Sequence, residues 1–402
     1  MSAAPAPPPG RQPLWFLALF ALAAAGGAVA YVPLLTVLLP QRIAELQGGE
    51  DVAALAQVSF LGAVMASIAN IGVGMLSDRA KVRRPFVIAG LALSNALLLW
   101  LGTAASLAEI VVLVMVWQVA LNLMLSPLMA WAGDCFPDEQ KGMLGGALAL
   151  SPALGALAGS LVTWAGLVAP SARLALVAVL VSALVLPAVV LGTGRVQPAL
   201  VAPAPAPASA TRAGVPVRER VVLRMWAARL LVQVAEGGMF AFLLYWLRSI
   251  APGYPENGAA NIFSLVLVGA VPVSLLLGRW SDRHARPVVP LVATALLCAC
   301  GMVVMAAAQS LAWAIAGYVL FGLAAAVFLA LHAGQTLRVL PAPQHRGRDL
   351  GVFNLTNTVP GMVMPWLTVM LVPQFGYGAL FLLFAGLALA SAVLLAGALR
   401  RA

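Results

Sequence analysis

Apolar runs of twenty or more residues follow one another along almost the whole chain, separated by short polar connectors. A bilayer core is crossed by roughly 20 helical residues. Runs of that length without strict alternation mean helices rather than the strands of a barrel, because in lipid each backbone must satisfy its own hydrogen bonds. The pattern predicts twelve helices at about 14–39, 52–76, 86–106, 109–133, 142–166, 173–194, 222–247, 261–279, 287–308, 311–336, 350–372 and 379–398. The expected fold class is an all-α membrane protein. Its organisation reads as a disordered Ala/Pro-rich head (1–13), a six-helix bundle (14–194), a Pro/Ala-rich linker (195–221) and a second six-helix bundle with a short tail (222–402). Alternating Pro and Ala can neither form a helix nor pack, so the linker is read as a semi-extended tether.

Composition sharpens this picture. The 402 residues are 62% hydrophobic and 9% charged, against roughly 25% charged in soluble domains. The net charge of +10 does not indicate nucleic-acid binding, because the basic residues collect in the connectors. Most of the 23 Lys and Arg residues fall on the side of the even-to-odd connectors and the termini, against Arg42, Arg173 and Arg248 on the other. The positive-inside rule then puts both termini in the cytoplasm of a multi-pass protein of the cell inner (plasma) membrane. The apolar run from Leu14 is too long for the h-region of a signal peptide, about 7–15 residues. Cys298 and Cys300 lie in an apolar run without His or acidic neighbours and Cys135 at a helix end, so no metal site is expected.

One connector pattern occurs twice. Gly74-Met75-Leu76-Ser77-Asp78-Arg79, closed by Arg83-Arg84-Pro85, returns as Gly278-Arg279-Trp280-Ser281-Asp282-Arg283, closed by Arg286-Pro287. Asp78 and Asp282 are 204 positions apart, half the chain, which marks two related halves. Gly74 and Gly278 permit close helix approach. Asp78 and Asp282 can accept hydrogen bonds from a helix N-terminus and pair with the adjacent arginines. Such a set, with Asp134 at the end of the fourth helix, suits a conformational latch; the plainer reading is a basic connector that only sets topology.

Twelve helices in a six-plus-six order, with this motif between the second and third helices and a degenerate copy between the eighth and ninth, resemble the major facilitator superfamily. The resemblance implies two pseudo-symmetric six-helix bundles around a midplane cavity, working by alternating access. Asn122–Pro127 with Asp134–Gly142, and Leu340-Pro341 with Arg346–Asn354, Asn357 and Pro360, are similar to the branch that contains sucrose-type and other glycoside cation symporters. Ser151-Pro152 with Gly155 and Gly159 loosely resembles the fifth-helix motif of drug/proton antiporters, but Ser stands where that motif has Gly. The fourth-helix arginine of many exporters is also missing from Trp117–Asn122.

Charge at depth in a membrane is expensive and marks function. Glu236 falls near the middle of the seventh helix, with Arg229 seven positions earlier on the same face. Glu236 is read as a proton-coupling carboxyl with Arg229 and His332 as partners, or alternatively as a permanent structural pair with Arg229. Tyr31, Gln118, Asn122, Gln233, Glu236, Gln335, Asn354 and Asn357 are candidates for holding a substrate. Gln118/Asn122, Gln233/Glu236 and Asn354/Asn357 each share a helix face at spacings of three or four. Each amide is equally readable as interhelical hydrogen-bonding.

No phosphate loop, His-Glu-x-x-His or Ser/His/Asp set is present in the sequence, so neither an enzyme nor a cofactor is expected. The expected function is a secondary active transporter of a small, largely neutral, sugar-like solute, working by symport with a proton (or sodium). A drug or metabolite/proton antiporter is the alternative, and a non-cycling receptor or assembly factor is the alternative of another class. Its expected surroundings are its substrate, the coupling ion and the bilayer, as a monomer without nucleic acid.

Overall fold

The computed structural model describes residues 10–47, 52–164, 166–202, 217–340 and 342–399. The expected head up to residue 9 and the linker residues 203–216 lie outside the described residues. The α-helices are α1 (Leu14–Pro33), α2 (Leu39–Gln47), α3 (Val52–Ala80), α4 (Arg84–Leu101), α5 (Leu107–Cys135), α6 (Lys141–Leu148), α7 (Leu150–Val162), α8 (Arg173–Leu191), α9 (Pro198–Val201), α10 (Val217–Ile250), α11 (Glu256–His284), α12 (Val289–Ala306), α13 (Leu311–Val339) and α14 (Arg346–Leu399). A π-helical segment, Leu34–Leu38, joins α1 to α2. It follows Pro33, which has no N–H to give, and the Thr36 hydroxyl donates to the Val32 carbonyl at 2.7 Å. α14 is broken at Gly376, where φ is 72°.

Among the described residues ten helical stretches are long and apolar enough to cross a membrane. α10, with 34 residues, and the part of α14 ahead of Gly376 complete the expected order. The protein is therefore a multi-pass, all-helical membrane protein. The expected first helix ends too early at 39, since the helical path runs on to Gln47. The repeated motif also lies differently from expectation. Gly74–Arg79 and Gly278–Arg283 are the last turns of α3 and α11 rather than connectors.

The half-chain repeat extends to the helix caps. Ser106 begins α5 by accepting the Glu109 amide at 3.2 Å, and Ser310, 204 positions later, begins α13 by accepting the Trp313 amide at 3.5 Å. The Glu109 carboxylate accepts the Ala105 amide at 2.8 Å, one residue before the N-cap amide that a regular capping box engages.

The chain forms two compact units. The first comprises the described residues within Met1–Pro137, Leu150–Ala208 and Ala342–Asn354; the second, those within Asp138–Ala149, Ser209–Pro341 and Leu355–Ala402. At two places these units depart from the half-chain boundaries. The segment that opens α6 belongs to the second unit, and the segment that opens α14 belongs to the first. In the first unit, Phe16 and Phe20 of α1 enclose Phe136, with ring centroids 5.4 and 5.5 Å away. The Arg195 guanidinium lies 4.8 Å from the Trp15 ring centre, a cation–π contact at the helix end. In the second unit, Trp246 of α10 meets Phe381 of α14 edge-on at 4.7 Å.

Candidate functional site

Each unit holds one copy of the repeated motif against the start of a helix. In the first unit a 3₁₀ turn, Pro343–His345, feeds into α14. The first amides of a helix have no intrahelical acceptor and carry the positive end of its dipole. Asp78, on the last turn of α3, accepts two of them: Gly347 N–H on Oδ1 at 3.0 Å and Arg348 N–H on Oδ2 at 2.9 Å. Gly74, one turn earlier, faces the Gly347 carbonyl so closely that a Cβ on Gly74 would collide with it, and a Cβ on Gly347 would come within 2.6 Å of the Gly74 carbonyl oxygen. Glycine at both positions lets Asp78 reach the amides.

Charge then continues inward from Asp78. Arg83 bridges the two carboxylates, with Nη1 2.6 Å from Asp78 and Nε 3.1 Å from Asp134. Arg83 also donates to the Ser77 hydroxyl at 2.8 Å. Arg346 donates to the other oxygen of Asp134 and, at 3.3 Å, to the Leu200 carbonyl of α9. Asp134 and Arg346 are both buried, so the chain Asp78, Arg83, Asp134, Arg346 is an alternating and overall neutral set, as buried charge requires.

The second unit repeats the geometry with different residues. Asp282, on the last turn of α11, accepts the Gly142 amide at 2.9 Å and the Met143 amide at 2.7 Å, at the start of α6. Gly278 and Gly142 form the close crossing, since a Cβ on Gly278 would meet the Gly142 carbonyl. Here the cation comes directly from α13: Arg338 lies 2.5 Å from Asp282 and also donates to the Asp138 carbonyl. Lys141 pairs with Asp138 at 2.6 Å and donates to the Leu337 carbonyl at 3.1 Å.

The sequence reading of this set missed Arg338, Arg346 and Lys141, and it missed the paired glycines Gly142 and Gly347. Their signal was present: in both halves a 3₁₀ turn is followed by a basic residue and then Gly, as Lys141-Gly142 and Arg346-Gly347. Arg79, Arg283 and Arg286, expected in the set, are exposed and lie outside both groups of contacts. Arg84 is half-buried, with its Nε unpartnered.

The polar residues at mid-helix divide into two groups. In the first unit Asn70 of α3 donates to the Asn122 side-chain oxygen of α5 at 2.6 Å, and Asn122 donates to the Gln118 carbonyl at 2.8 Å. The Ser126 hydroxyl donates to the Asn70 carbonyl at 3.0 Å. This network ties α3 to α5. Tyr31 is partly exposed on α1, and Asn354 is half-buried at the end of the first unit.

In the second unit Arg229 and Gln233 of α10 converge on Asn357 of α14. Gln233 Nε2 lies 2.6 Å from Asn357 Oδ1, and Arg229 Nη2 lies 3.3 Å from the same atom. Arg229 also donates through Nε to Thr356 and through Nη1 to the Leu329 carbonyl of α13, both at 3.1 Å. No ion pair joins Arg229 to Glu236. Glu236 is half-buried and lines a cavity of about 20 Å³ with Phe263, Val266, Leu267, Tyr318, Phe321, Gly322 and Ala326. Among the described residues no donor hydrogen-bonds to its carboxylate. His332 is fully buried and stitched in place, 3.0 Å from the Met225 carbonyl and 3.2 Å from the Thr336 hydroxyl. Gln335 is buried with its Nε2 unpartnered.

The sequence model of the Major Facilitator Superfamily matches residues 238–402. Solved structures extend the likeness over the whole chain. The human organic anion transporter MFSD10 (TETRAN) is 16% identical, with a TM-score of 0.72 over 96% of this chain and 100% of its own. A bacterial homologue of the iron transporter ferroportin, in an outward-facing state with soaked iron, is 13% identical, with a TM-score of 0.73 over 97% of this chain and 100% of its own. No curated protein matches the chain in sequence. The chain has the major facilitator fold, and its second half carries that superfamily's sequence pattern.

Proposed function

We propose that this major facilitator protein is a proton-coupled secondary transporter that moves a small organic solute by alternating access. The observation that carries the coupling is Glu236: a carboxyl at mid-length of α10, against Phe263, Tyr318 and Phe321, with no donor on it among the described residues. A cavity of that size holds about one water. A carboxylate without hydrogen bonds in apolar surroundings costs several kcal/mol, whereas the protonated acid costs far less. The group is thus suited to take up and release a proton as its surroundings change between states.

The two aspartate-capped helix starts support the conformational part of this reading. Each is a neutral, partly buried set that joins a segment from one half of the chain to the compact unit of the other. Such sets make discrete latches, closed in one state and open in another. They involve few residues, and they break at helix ends, where the freed amides can be solvated by water.

A sugar-like neutral solute, expected from the run of amides, gains little support. Asn70, Asn122, Gln233 and Asn357 are engaged with one another or with Arg229. The named cargoes of the similar structures, organic anions and iron, differ between themselves, so likeness of fold does not choose among them. Reconstitution into proteoliposomes tests the reading. With the outside made acidic, labelled solutes from a panel of sugars, carboxylates and amino acids are offered. Accumulation above equilibrium that collapses with a protonophore is expected; equilibration that ignores the gradient contradicts the proposal. An exporter would instead confer drug resistance on a pump-deficient host.

A further inference from the structure

We propose that Arg229 docks the carboxylate of a small organic anion, and that this anion and Glu236 alternate as its charge partner. One proton then enters the protein with each anion bound. The inference rests on the reading of the chain as a proton-coupled transporter and adds the chemical class of its cargo.

Arg229 is placed in the interior of α10, where an uncompensated cation is costly. Its three bonds all go to neutral acceptors: the Thr356 hydroxyl, the Leu329 carbonyl and the Asn357 side-chain oxygen. A guanidinium has five N–H donors in a planar fork that matches a carboxylate, so donors remain for a ligand. The side chain is half-buried, and of its three bonds the one from Nη2 to Asn357 is the exposed one. Gln233, one turn on, is fixed through Nε2 to the same Asn357 oxygen. Its Oε1 is buried and unpartnered, and it offers an acceptor to a hydroxyl beside the bound carboxylate. The pair therefore suits a short carboxylate or hydroxycarboxylate.

Glu236 is seven residues beyond Arg229, about 10 Å along the axis at about 1.5 Å per residue. That is too far for an ion pair but close enough for charge to be felt where water is scarce. Without ligand, the positive charge of Arg229 offsets part of the cost of ionising Glu236 in its apolar surroundings. With an anion on Arg229, two negative charges share one positive charge, and Glu236 takes a proton from solution. No bond other than that O–H forms. Among the described residues, the other titratable groups around the pair are Tyr318 of α13 and Cys298 of α12, near Glu236, and His332 of α13, near Arg229. None of these is a carboxylate that could replace Glu236.

The test uses the purified full-length protein with lactate, benzoate and succinate, their neutral twins lactamide and benzamide, glucose, and tetraethylammonium. Expected is a rise of several degrees in apparent unfolding temperature with a carboxylate but with none of the other probes. Affinity should fall at least tenfold in Arg229→Gln and be partly restored in Arg229→Lys, which keeps the charge if the glutamine variant folds poorly. In weakly buffered solution, carboxylate binding should take up protons in the wild type but not in Glu236→Gln, which should still bind. Absence of any shift with carboxylates, equal shifts with the neutral twins, retention in Arg229→Gln, or binding without proton uptake overturns the proposal. If glucose or tetraethylammonium binds instead and accumulates under the pH gradient, the anion site fails while the transporter reading stands. If carboxylates bind as described but no solute accumulates, the transporter reading fails instead.

Discussion

Asp134 and Arg338 stand 204 positions apart, the same step that separates Asp78 from Asp282, and they carry opposite charge. Each supports the motif aspartate of its own unit. Asp134 does so through Arg83, which it shares with Asp78, and it holds Arg346 as well. Arg338 contacts Asp282 directly at 2.5 Å. The second copy of the motif has Pro287 where the first has Arg83, and a cation on α13 fills the place of the missing one. Two halves of a duplicated fold thus reach the same neutral helix cap by different charge arrangements.

The two arrangements differ in what a single substitution exposes. Asp134→Asn leaves Arg346 without a carboxylate in a buried place and Arg83 with Asp78 alone, a loss of about 3 kcal/mol. Arg338→Gln leaves Asp282 holding its two backbone amides, a loss of about 1–2 kcal/mol. Denaturation of the detergent-purified variants should rank them in that order. Equal losses would show that the four-member set is not energetically linked.

The glycine crossings should control rate more than assembly. In Gly74→Ala and in Gly278→Ala the new methyl meets the backbone of Gly347 or Gly142, and the aspartate is pushed off its amides. Asp78→Asn keeps the space but weakens the cap by about 1 kcal/mol. All three variants should insert in normal amounts and turn over more slowly, at least tenfold for the alanine variants. Unchanged initial rates in reconstituted vesicles would leave the crossings without a role in the cycle.

The amides of the first unit are predicted to hold helices rather than substrate. Asn122→Leu removes the Asn70 contact between α3 and α5 and should cost about 1 kcal/mol. Unfolding temperature should fall while the KM for a transported solute stays within twofold. A large rise in KM with unchanged stability would move Asn122 into the substrate site.

Much of the fold was legible from the apolar runs and the half-chain repeat, because lipid admits few backbone solutions. The helix ends were read too short, since polar residues such as Asp78 and Asp282 mark the edge of the hydrocarbon rather than the end of hydrogen bonding. The sequence pointed to Asp78, Asp282 and Asp134 and to a helix N-terminus as partner of the first two, but not to which one, because the basic-Gly steps Lys141-Gly142 and Arg346-Gly347 stand far along the chain from the aspartates they meet. Arg338 was invisible for a related reason: its role depends on the end of α13 meeting the end of α11. The closeness of Arg229 and Glu236 along α10 was plain from spacing. That Thr356, Asn357 and Leu329 occupy the guanidinium, and that the carboxylate stands apart from it, is set by how α13 and α14 pack on α10.

The central claim is that Glu236 links solute movement to proton movement. It is tested most directly by comparing wild type with Glu236→Gln in proteoliposomes, measuring both net accumulation under an imposed pH gradient and exchange of internal for external solute. The account predicts that the variant exchanges solute but accumulates none, at any outside pH. Accumulation by the variant equal to that of the wild type would contradict it.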